Sequence, residues 1–489
     1  MGRSARSESC CLTRPERSSR RRPPASWWNG RSSAAPRTPD IVESWPGPTF
    51  FTAGPFWSIV RAGANGMISS SIETRESWRV ASVSLLTMAC SFGAPWIAVV
   101  ALKTIAADLN GARSTPALAG SLAWFGVGFG GIVMGRIADR IGVRWTVMFG
   151  AVMIWVGLAI SSFGAPWQLY VGHGLFIGFL GNGGLNAPLY VYVSRWFDRR
   201  RGSALALISS GAYLAGAVWP PVFERVIAIY GWQQTMRGFG LIEMTIIVPL
   251  AAVFLRPPPD QSYAGSGAFL DPKPGSVLGW PPNLVFFMLC AAAFLCCMPM
   301  ALPQTHLVAF CSDLGILPSH GAAMLSVVLG SGFLCRQLWG WFSDRTGGLV
   351  TLSVCSATQA TALTAFLMTQ DEIGLFTVSA FFGLGFSGLV PAYVLALREF
   401  FPVKDAQWRV PTLLLFSGSG MAAGAWIGGA LYDLFGYYGP AFFCAIAANV
   451  INLIIVVALL VRQRSNPSEP RLRDARLEHG SVVPDRSLT

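Results

Sequence analysis

The sequence predicts an all-α membrane protein whose twelve transmembrane helices form two six-helix bundles. Of its 489 residues, 53% are hydrophobic and only 12% are charged, about half the charged fraction of an ordinary soluble domain. Apolar runs long enough to cross a bilayer recur along the chain. Short polar phrases from the first half also return in the second half, which indicates an internal duplication.

Each apolar run approaches the roughly 20 residues that an α-helix needs to cross a hydrocarbon core about 30 Å thick. A helix also satisfies its own backbone hydrogen bonds where no water is present. Glycine and proline are frequent inside the runs, which favours close helix packing and local breaks. The runs lie at approximately residues 80–106, 117–136, 145–163, 167–194, 202–228, 234–255, 283–310, 320–342, 350–369, 373–398, 410–432 and 438–461.

The clearest repeat is the phrase GRIADRIGVRW at Gly135 to Trp145, which returns as GWFSDRTGG at Gly340 to Gly348. Likewise, Arg195-Trp-Phe at the end of the fourth run has a counterpart in Arg398-Glu-Phe-Phe at the end of the tenth. These offsets of roughly 205 residues indicate a duplicated six-helix unit. The predicted domains are a disordered basic tail at 1–78, a bundle at 79–255, a cytoplasmic linker at 256–282, a second bundle at 283–462 and a cytoplasmic tail at 463–489.

The net charge of +12 does not indicate a nucleic-acid partner, because residues 1–66 hold half of it in a segment rich in Pro, Ser and Arg. Such a segment cannot bury a core and is expected to be disordered. It is either an arm that binds anionic lipid, a simple tail, or sequence upstream of a true start at Met67. The remaining Lys and Arg are concentrated in alternate loops, which places the protein in the cell (inner or plasma) membrane with both termini cytoplasmic.

Arg336 is the only Lys or Arg well inside the predicted spans, and Glu243 is the only Asp or Glu. Arg336 precedes Asp344 by eight residues, hence about 12 Å of helix rise from the interface and near the bilayer midplane. A guanidinium offers a planar fork of donors that matches a carboxylate. Arg336 therefore predicts an anionic substrate, the alternative being an arginine that reaches toward the interface or pairs with another side chain. The role of Glu243 stays open.

Uncharged polar residues complete the predicted substrate site. Asn182, Asn186 and Tyr190 recur every four residues and share one helix face. Gln304 and His306 follow Pro303, which weakens its helix locally, and Tyr393 lies in the tenth span. These groups either orient a substrate by hydrogen bonds or hold helices together. His306 is either a proton relay or a packing residue.

Twelve spans in two parallel halves, with Gly135, Asp139, Arg140 and Gly142 between spans two and three and a shortened copy between spans eight and nine, resemble the major facilitator superfamily. The resemblance implies the major facilitator fold and alternating access to a site between the two halves. Glycines allow tight turns, and the charges can form ion pairs that hold helix ends in one arrangement. The predicted conformational latch comprises Gly135, Asp139, Arg140, Arg144, Arg195, Asp344, Arg345 and Arg398, the alternative being that these charges only fix topology.

The stretch Ala322 to Arg345 resembles span eight of the monocarboxylate transporter branch, and Asn186 to Gly211 resembles the same branch and its bacterial oxalate/formate antiporter relatives. In that branch an Arg at the position of Arg336 is implicated in binding the substrate carboxylate. The best-known members carry an acid one turn earlier, where this chain has Gly332. They also carry a Lys in the first span, where this chain has Trp96.

The predicted function is secondary active or facilitative transport of a small organic anion, most simply a monocarboxylate, with a proton as a candidate co-substrate and the bilayer as the other partner. The alternatives are an exporter of amphipathic drug-like compounds and a non-transporting membrane sensor. The sequence holds no phosphate-binding Gly-Lys motif, no metal-ligand spacing and no nucleophile with a base in register. It predicts no enzyme activity, no cofactor and no metal.

Overall fold

The computed structural model describes residues 73–109, 111–197, 200–257, 277–401 and 403–465, and for residues 201, 202, 344 and 403–407 it describes the backbone only. The described residues are almost entirely helical. In chain order the α-helices are α1 (Arg75–Ser91), α2 (Gly93–Val100), α3 (Leu102–Asp108), α4 (Ser114–Ile141), α5 (Val143–Ser161), α6 (Pro166–Val171), α7 (Gly183–Ser194), α8 (Arg201–Ser209), α9 (Gly211–Phe254), α10 (Pro282–Asp313), α11 (Pro318–Thr346), α12 (Gly348–Met368), α13 (Glu372–Phe386), α14 (Leu389–Phe400), α15 (Val403–Phe435) and α16 (Gly439–Ser465). A π-helix, Gly172–Asn182, lies between α6 and α7.

The described chain makes the twelve predicted membrane passes. Ten helices are long and apolar enough to cross a membrane. One of these segments, Ser203–Phe254, comprises α8 and α9. Its backbone turns back at Gly231, where φ is 77°, and the centroids of the Phe223 and Phe239 rings lie 4.9 Å apart across this turn. The segment therefore makes two passes. A further pass consists of α6, the π-helix and α7 in succession.

The first bundle begins earlier than the sequence predicts. Thr74 caps α1: its hydroxyl accepts from the backbone N–H of Ser77 at 3.3 Å, and the Ser77 hydroxyl accepts from the N–H of Thr74 at 3.2 Å. This reciprocal capping box satisfies two amides that would otherwise lack partners, so the helix starts at Arg75. α1 therefore begins before residue 79, where the first bundle is predicted to start. The structure also divides the first predicted span into α1, α2 and α3.

The π-helix packs its backbone directly against α4, a contact that a sequence pattern does not reveal. A β-carbon on Gly178 would lie 2.6 Å from the Ala123 carbonyl oxygen of α4, and one on Gly126 would lie 2.5 Å from the Gly174 carbonyl oxygen. The two helices therefore touch at their backbones. Runs of i to i+5 hydrogen bonds are rare and frequently mark functional sites, and this run ends at Asn182.

The ends of the other predicted segments differ only slightly. α10 begins at Pro282, and α16 continues to Ser465, just past the predicted boundary at 462. Of the linker, Val277 and Trp280 form an isolated backbone bridge. The predictions made for residues 1–72, 258–276 and 466–489 lie outside the described residues.

The two copies of the charged phrase make equivalent turns. α4 and α5 meet at Gly142, where φ is 92°, and α11 and α12 meet at Gly347, where φ is 86°. A side chain is strained at such φ values, which explains why both phrases carry glycine there. Arg113 precedes α4 as its N-cap, and Gly142 follows it as its C-cap. These residues therefore mark opposite ends of the membrane-spanning part, which we call the Arg113 face and the Gly142 face.

Candidate functional site

Arg336 lies where the two bundles meet. It is half-buried on α11, and its guanidinium carbon is 4.9 Å from the centroid of the Tyr213 ring on α9, in the first bundle. A cation above an aromatic face is attracted by the negative face of the ring. Among the side chains that the structure describes, no carboxylate forms an ion pair with Arg336. Its partner is therefore a neutral ring, which leaves its charge uncompensated.

Gly332, one turn before Arg336, creates the space that the Tyr213 ring occupies. A β-carbon at Gly332 would lie 3.1 Å from Tyr213 Cδ1 and 3.4 Å from Phe386 Cζ. The Tyr213 and Phe386 rings stack, with centroids 5.7 Å apart and planes inclined by 17°. Where the monocarboxylate branch has an acid, this chain thus has a glycine with an aromatic ring packed against it.

Tyr190 belongs to the same cluster. Its phenol lies near enough to Arg336 and Tyr213 to interact electrostatically with both, and it contacts the Ser209 hydroxyl. Asn186 and Asn182 follow on the same helix face toward the Arg113 face. Both side-chain atoms of Asn182 and the Oδ1 of Asn186 are buried without a hydrogen-bond partner among the described residues. The structure therefore brings Tyr190 to Arg336 and aligns Asn186 and Asn182 behind it.

The other predicted substrate residues are placed differently. The Tyr393 hydroxyl donates to Asn452 Oδ1 at 2.5 Å, and Asn452 Nδ2 donates to Ser356 Oγ at 2.7 Å. Tyr393 is thereby held in a buried network within the second bundle. Gln304 is also buried, and its Nε2 has no partner among the described residues.

His306 connects to a different cluster. Its Nδ1 is 3.1 Å from the Tyr438 hydroxyl, its Nε2 is 2.8 Å from the Ala425 carbonyl oxygen, and Arg113 donates to the Tyr438 oxygen at 3.0 Å. Because arginine can only donate and a carbonyl can only accept, Tyr438 donates to Nδ1 and the proton of a neutral His306 is on Nε2. His306 thus supports Arg113, whereas its role as a proton relay stays a prediction.

Arg113 ties the two bundles together at its face. Its NH1 is 2.5 Å from Asp313 Oδ2, and its NH2 is 2.7 Å from Asp313 Oδ1. Lys103 Nζ contacts the same carboxylate at 3.0 Å, and the Arg113 guanidinium lies 3.7 Å from the centroid of the Tyr432 ring. Arg113 is only 7% exposed, so this bidentate pair is largely shielded from water. We call Lys103, Arg113, Asp313, Asp433 and Tyr438 the Arg113 clamp.

Asp433 completes the clamp through the backbone. Its carboxylate oxygens accept from the backbone N–H groups of Arg113 and Ser114, at 2.8 and 2.9 Å. These N–H groups lie at the start of α4, where the helix has unpaired donors and a partial positive charge. An acid of the second bundle thus caps a helix of the first.

The charge of Arg113 is stabilised by this environment. Burial alone would lower the pKa of the guanidinium, but the hydrogen bond to Asp313 and the contact with Tyr438 outweigh burial and raise that pKa above its ordinary value. Arg113 therefore stays protonated, and the clamp persists across the physiological pH range.

The predicted latch residues lie at the opposite face. Arg195 NH2 is 3.3 Å from Asp139 Oδ1, with 48% and 64% of the two side chains exposed. Both residues belong to the first bundle, and the role of this pair as a latch stays a prediction. Arg345 packs over the Trp341 ring at 3.6 Å. The Asp344 side chain lies outside the described atoms, and Arg140, Arg144 and Arg398 have no ion pair among the described residues.

Glu243 is buried in the first bundle, at 1% exposure, with neither carboxyl oxygen bonded to a described residue. Cys90 of α1 is its electrostatic neighbour. No contact links it to Arg336 or to the Arg113 clamp among the described residues, and its role remains open.

Sequence reasoning missed Tyr213 and the Arg113 clamp. Tyr213 stands in an otherwise apolar run, where one aromatic residue gives no pattern. Arg113 lies in the loop between the first two predicted spans, and its partner Asp313 is 200 residues away in sequence. The signal available was the presence of the acids Asp313 and Asp433 at the ends of spans on the same face as Arg113.

The chain matches the family model of the Major Facilitator Superfamily over residues 84–370 and 289–488. It is 27% identical to monocarboxylate transporter 13 of Bos taurus, over 68% of this chain and 77% of the relative. It is 25% identical to the agnestins efflux protein AgnL12 of Paecilomyces divaricatus, over 67% of this chain and 74% of the relative.

The fold is also found in a solved structure, a bacterial homolog of the human lysosomal transporter Spinster in an inward-facing and occupied conformation. The two structures share 14% sequence identity with a TM-score of 0.60, over 80% of this chain and 98% of the other. With the family match and the twelve membrane passes, the chain belongs to the Major Facilitator Superfamily and is an integral membrane transporter.

Proposed function

We propose that this transporter carries a small organic anion, most simply a monocarboxylate, and that Arg336 binds its carboxylate. The observation that carries the proposal is the partner of Arg336: a Tyr213 ring between the bundles, with no described carboxylate paired to it. A charge inside a membrane span without a counter-charge is costly and marks a functional site by default. A bound carboxylate would supply that counter-charge and accept two hydrogen bonds from the guanidinium fork.

The remainder of the substrate would contact Tyr190, Tyr213 and the two asparagines. Phenol and amide groups orient a ligand by hydrogen bonds while their aromatic or aliphatic parts contact its carbon skeleton. The sequence places one Lys or Arg well inside the spans. A dicarboxylate would leave its second charge unpaired, so the site favours a single carboxylate.

Alternating access requires the Arg113 clamp to break and reform. In this structure the clamp joins the bundles at the Arg113 face, so that face opens only after Arg113 leaves Asp313 and Asp433. From the positive-inside rule we assign the Gly142 face to the cytoplasm, with both termini on that side. The structure then represents a state closed to the exterior.

The test of this function is a panel of labelled mono- and dicarboxylates offered to sealed proteoliposomes, with and without an imposed pH gradient. We expect saturable movement of at least one monocarboxylate and weaker movement of dicarboxylates. Stimulation by the gradient would establish a proton as co-substrate. Equal movement of matched neutral compounds, with no carboxylate preferred, would refute the proposal.

A second candidate is export of an amphipathic compound. The similarity to an efflux protein favours it, and so does the aromatic character of the surroundings of Arg336, where Tyr213 and Phe386 stack. The charge of the substrate distinguishes the two functions. Removing the Arg336 guanidinium would leave the export of a neutral compound unchanged but would slow the transport of a carboxylate.

Gly332→Asp is expected to convert Arg336 into a paired arginine. The new carboxylate would lie one helical turn from the guanidinium and compete with the substrate for it. At neutral pH we expect about tenfold weaker substrate binding, equivalent to ~1.4 kcal/mol. Substrate affinity measured between about pH 6 and 8, where the aspartate and the substrate carboxylate are both ionised, provides the test.

The matched control for this change is Gly332→Asn, which has the same shape without the charge. Both side chains press on the Tyr213 ring, so the asparagine variant reports the steric cost alone. If the two variants bind substrate equally at every pH, Arg336 does not bind the carboxylate.

Asp139→Asn addresses the predicted latch. The Asp139–Arg195 pair is largely exposed, and such pairs stabilise a fold by less than about 1 kcal/mol. We therefore expect a nearly unchanged free energy of unfolding but a slower transport cycle, measured as initial rate in proteoliposomes. Unchanged transport and unchanged labelling of the Gly142 face would remove the latch role and leave these charges as determinants of topology.

A further inference from the structure

A cleft opens at the Gly142 face between α4, α5, α7 and the end of α9, with a volume of about 440 Å3. The cleft exists because glycines on α4 place no side chains in this space. α4 and α7 approach closely at Gly131, where a β-carbon would lie 3.2 Å from Ala187 Cβ, whereas a β-carbon at Gly135, one turn further, would meet nothing within 4 Å. The helices diverge there and leave the space open. We call it the Arg195 cleft.

The cleft is lined by more positive than negative charge. Arg144, Arg195 and Arg256 contribute to its wall, together with one acid, Asp139. Arg195 contacts Asp139 at 3.3 Å, and Arg256 reaches Glu76 only at 4.0 Å, with both side chains of that second pair more than half exposed. Ion pairs in such exposed positions are weak. The cleft therefore retains an attraction for a multivalent anion such as a phosphate.

The outer part of the same cleft is apolar and points away from the protein. Ile141, Trp145 and Val191 line it, and they are 53%, 58% and 48% exposed. In an integral membrane protein such exposed apolar residues at a helix end meet lipid, and tryptophan is typical of the membrane interface. The charged inner part of the cleft thus lies beside its apolar outer part. This is the arrangement that a phospholipid presents where its headgroup joins its acyl chains.

We propose that the Arg195 cleft binds an anionic phospholipid, with its phosphate among Arg144, Arg195 and Arg256 and its acyl chains along Ile141, Trp145 and Val191. Basic pockets between transmembrane helices are suited to such headgroups, and a phosphate accepts the same hydrogen bonds from guanidinium as a carboxylate does. The apolar rim selects the lipid over a dissolved phosphate. This inference is independent of the transported substrate.

Binding in the cleft has a consequence for the ion pair there. A headgroup phosphate at Arg195 competes directly with Asp139, which contacts the same guanidinium. The lipid would therefore weaken the Asp139–Arg195 contact and shift the predicted latch toward its open arrangement. A lipid in the bilayer would act on the Gly142 face without entering the substrate path.

The test measures retained lipid on the purified full-length protein by native mass spectrometry, after equilibration with phosphatidylglycerol or phosphatidylcholine. We expect preferential retention of phosphatidylglycerol. The double variant Arg144→Gln, Arg256→Gln should lower that retention by about 30-fold, at roughly 1 kcal/mol for each arginine near a membrane surface. Gly135→Leu should lower it as well, because the added side chain fills the cleft.

Two controls match these variants. Arg136 lies on the same face and donates to its own helix at the Ile132 carbonyl, 3.3 Å away, so Arg136→Gln removes one arginine charge outside the cleft. Gly120 is also on α4, and a β-carbon there would meet nothing within 4 Å, so Gly120→Leu adds the same bulk elsewhere. Both controls should retain phosphatidylglycerol as the wild type does.

Three outcomes would overturn the proposal. Equal retention of the two lipids by the wild type would show that the cleft does not select an anion. An equal loss in Arg136→Gln would show general attraction of the basic face instead of a site. Complete displacement of the lipid by inorganic phosphate would show that the cleft binds free phosphate.

Discussion

Arg336→Gln is expected to weaken binding of the carboxylate substrate by about 10- to 100-fold, because a hydrogen bond to a charged group contributes about 1.5–3 kcal/mol. The variant keeps a polar side chain of similar length but loses the guanidinium fork. Tyr213 and Tyr190 would still contact the rest of the substrate. Binding should therefore be weakened for carboxylates and little changed for uncharged analogues of the same shape, measured as affinity in detergent and as transport in proteoliposomes.

Arg336→Lys distinguishes the contribution of the positive charge to substrate binding from that of the guanidinium's planar geometry. An ammonium keeps the positive charge but cannot form two parallel hydrogen bonds with one carboxylate. We expect an affinity between those of the wild type and Arg336→Gln, with membrane insertion measured for each variant. If Arg336→Gln transports carboxylates at wild-type affinity, the guanidinium does not bind the substrate, whatever the protein carries.

Arg113→Ala is expected to release the two bundles at the Arg113 face. Removing one partner of a buried pair typically costs about 3 kcal/mol or more, because Asp313 then loses the bidentate guanidinium and keeps only Lys103 among the described cations. A change of that size shifts the equilibrium between closed and open states by more than 100-fold. The bundles should separate at this face, and substrate affinity at equilibrium should change much less than the conformational population.

Distances between genetically encoded spin labels at Phe163 and Leu317 report this opening, since both positions are exposed, at 68% and 60%. Phe163 belongs to the first bundle and Leu317 to the second, on the Arg113 face. The matched control is Arg225→Ala, which removes an exposed arginine toward the same face. An unchanged distance distribution in Arg113→Ala, or an equal shift in Arg225→Ala, would contradict the role of the clamp.

Helical passes were predictable because a membrane imposes one requirement on every span: about 20 apolar residues with internally satisfied hydrogen bonds. The duplicated phrase located the turns at Gly142 and Gly347, where positive φ demands glycine. Nothing in the apolar run distinguishes the π-helix at Gly172–Asn182 from an α-helix, and its backbone contact with α4 is a tertiary feature. The early start of α1 at Arg75 was missed because hydropathy does not register the Thr74 capping box.

At the candidate site, the sequence could predict the charged residue but not its uncharged neighbours. Arg336 stands out because ionisable residues inside spans are so few. Its partner Tyr213 did not stand out, since an aromatic residue in an apolar span has no distinguishing spacing, and only the fold shows that Gly332 makes room for its ring. The Arg113 clamp joins residues about two hundred positions apart in sequence, a pairing that no local pattern contains.

The two charged contacts at opposite faces differ in how dissolved salt affects them. Ions screen exposed charges over about 10 Å at physiological concentrations but act weakly on buried pairs. Arg113 is 7% exposed, whereas the Asp139 and Arg195 side chains are 64% and 48% exposed. Ionic strength is therefore expected to weaken the charged contact at the Gly142 face more than the Arg113–Asp313 pair. With the Gly142 face in the cytoplasm, as proposed above, salt inside the cell would act on the Asp139–Arg195 contact and leave the opposite pair nearly unchanged.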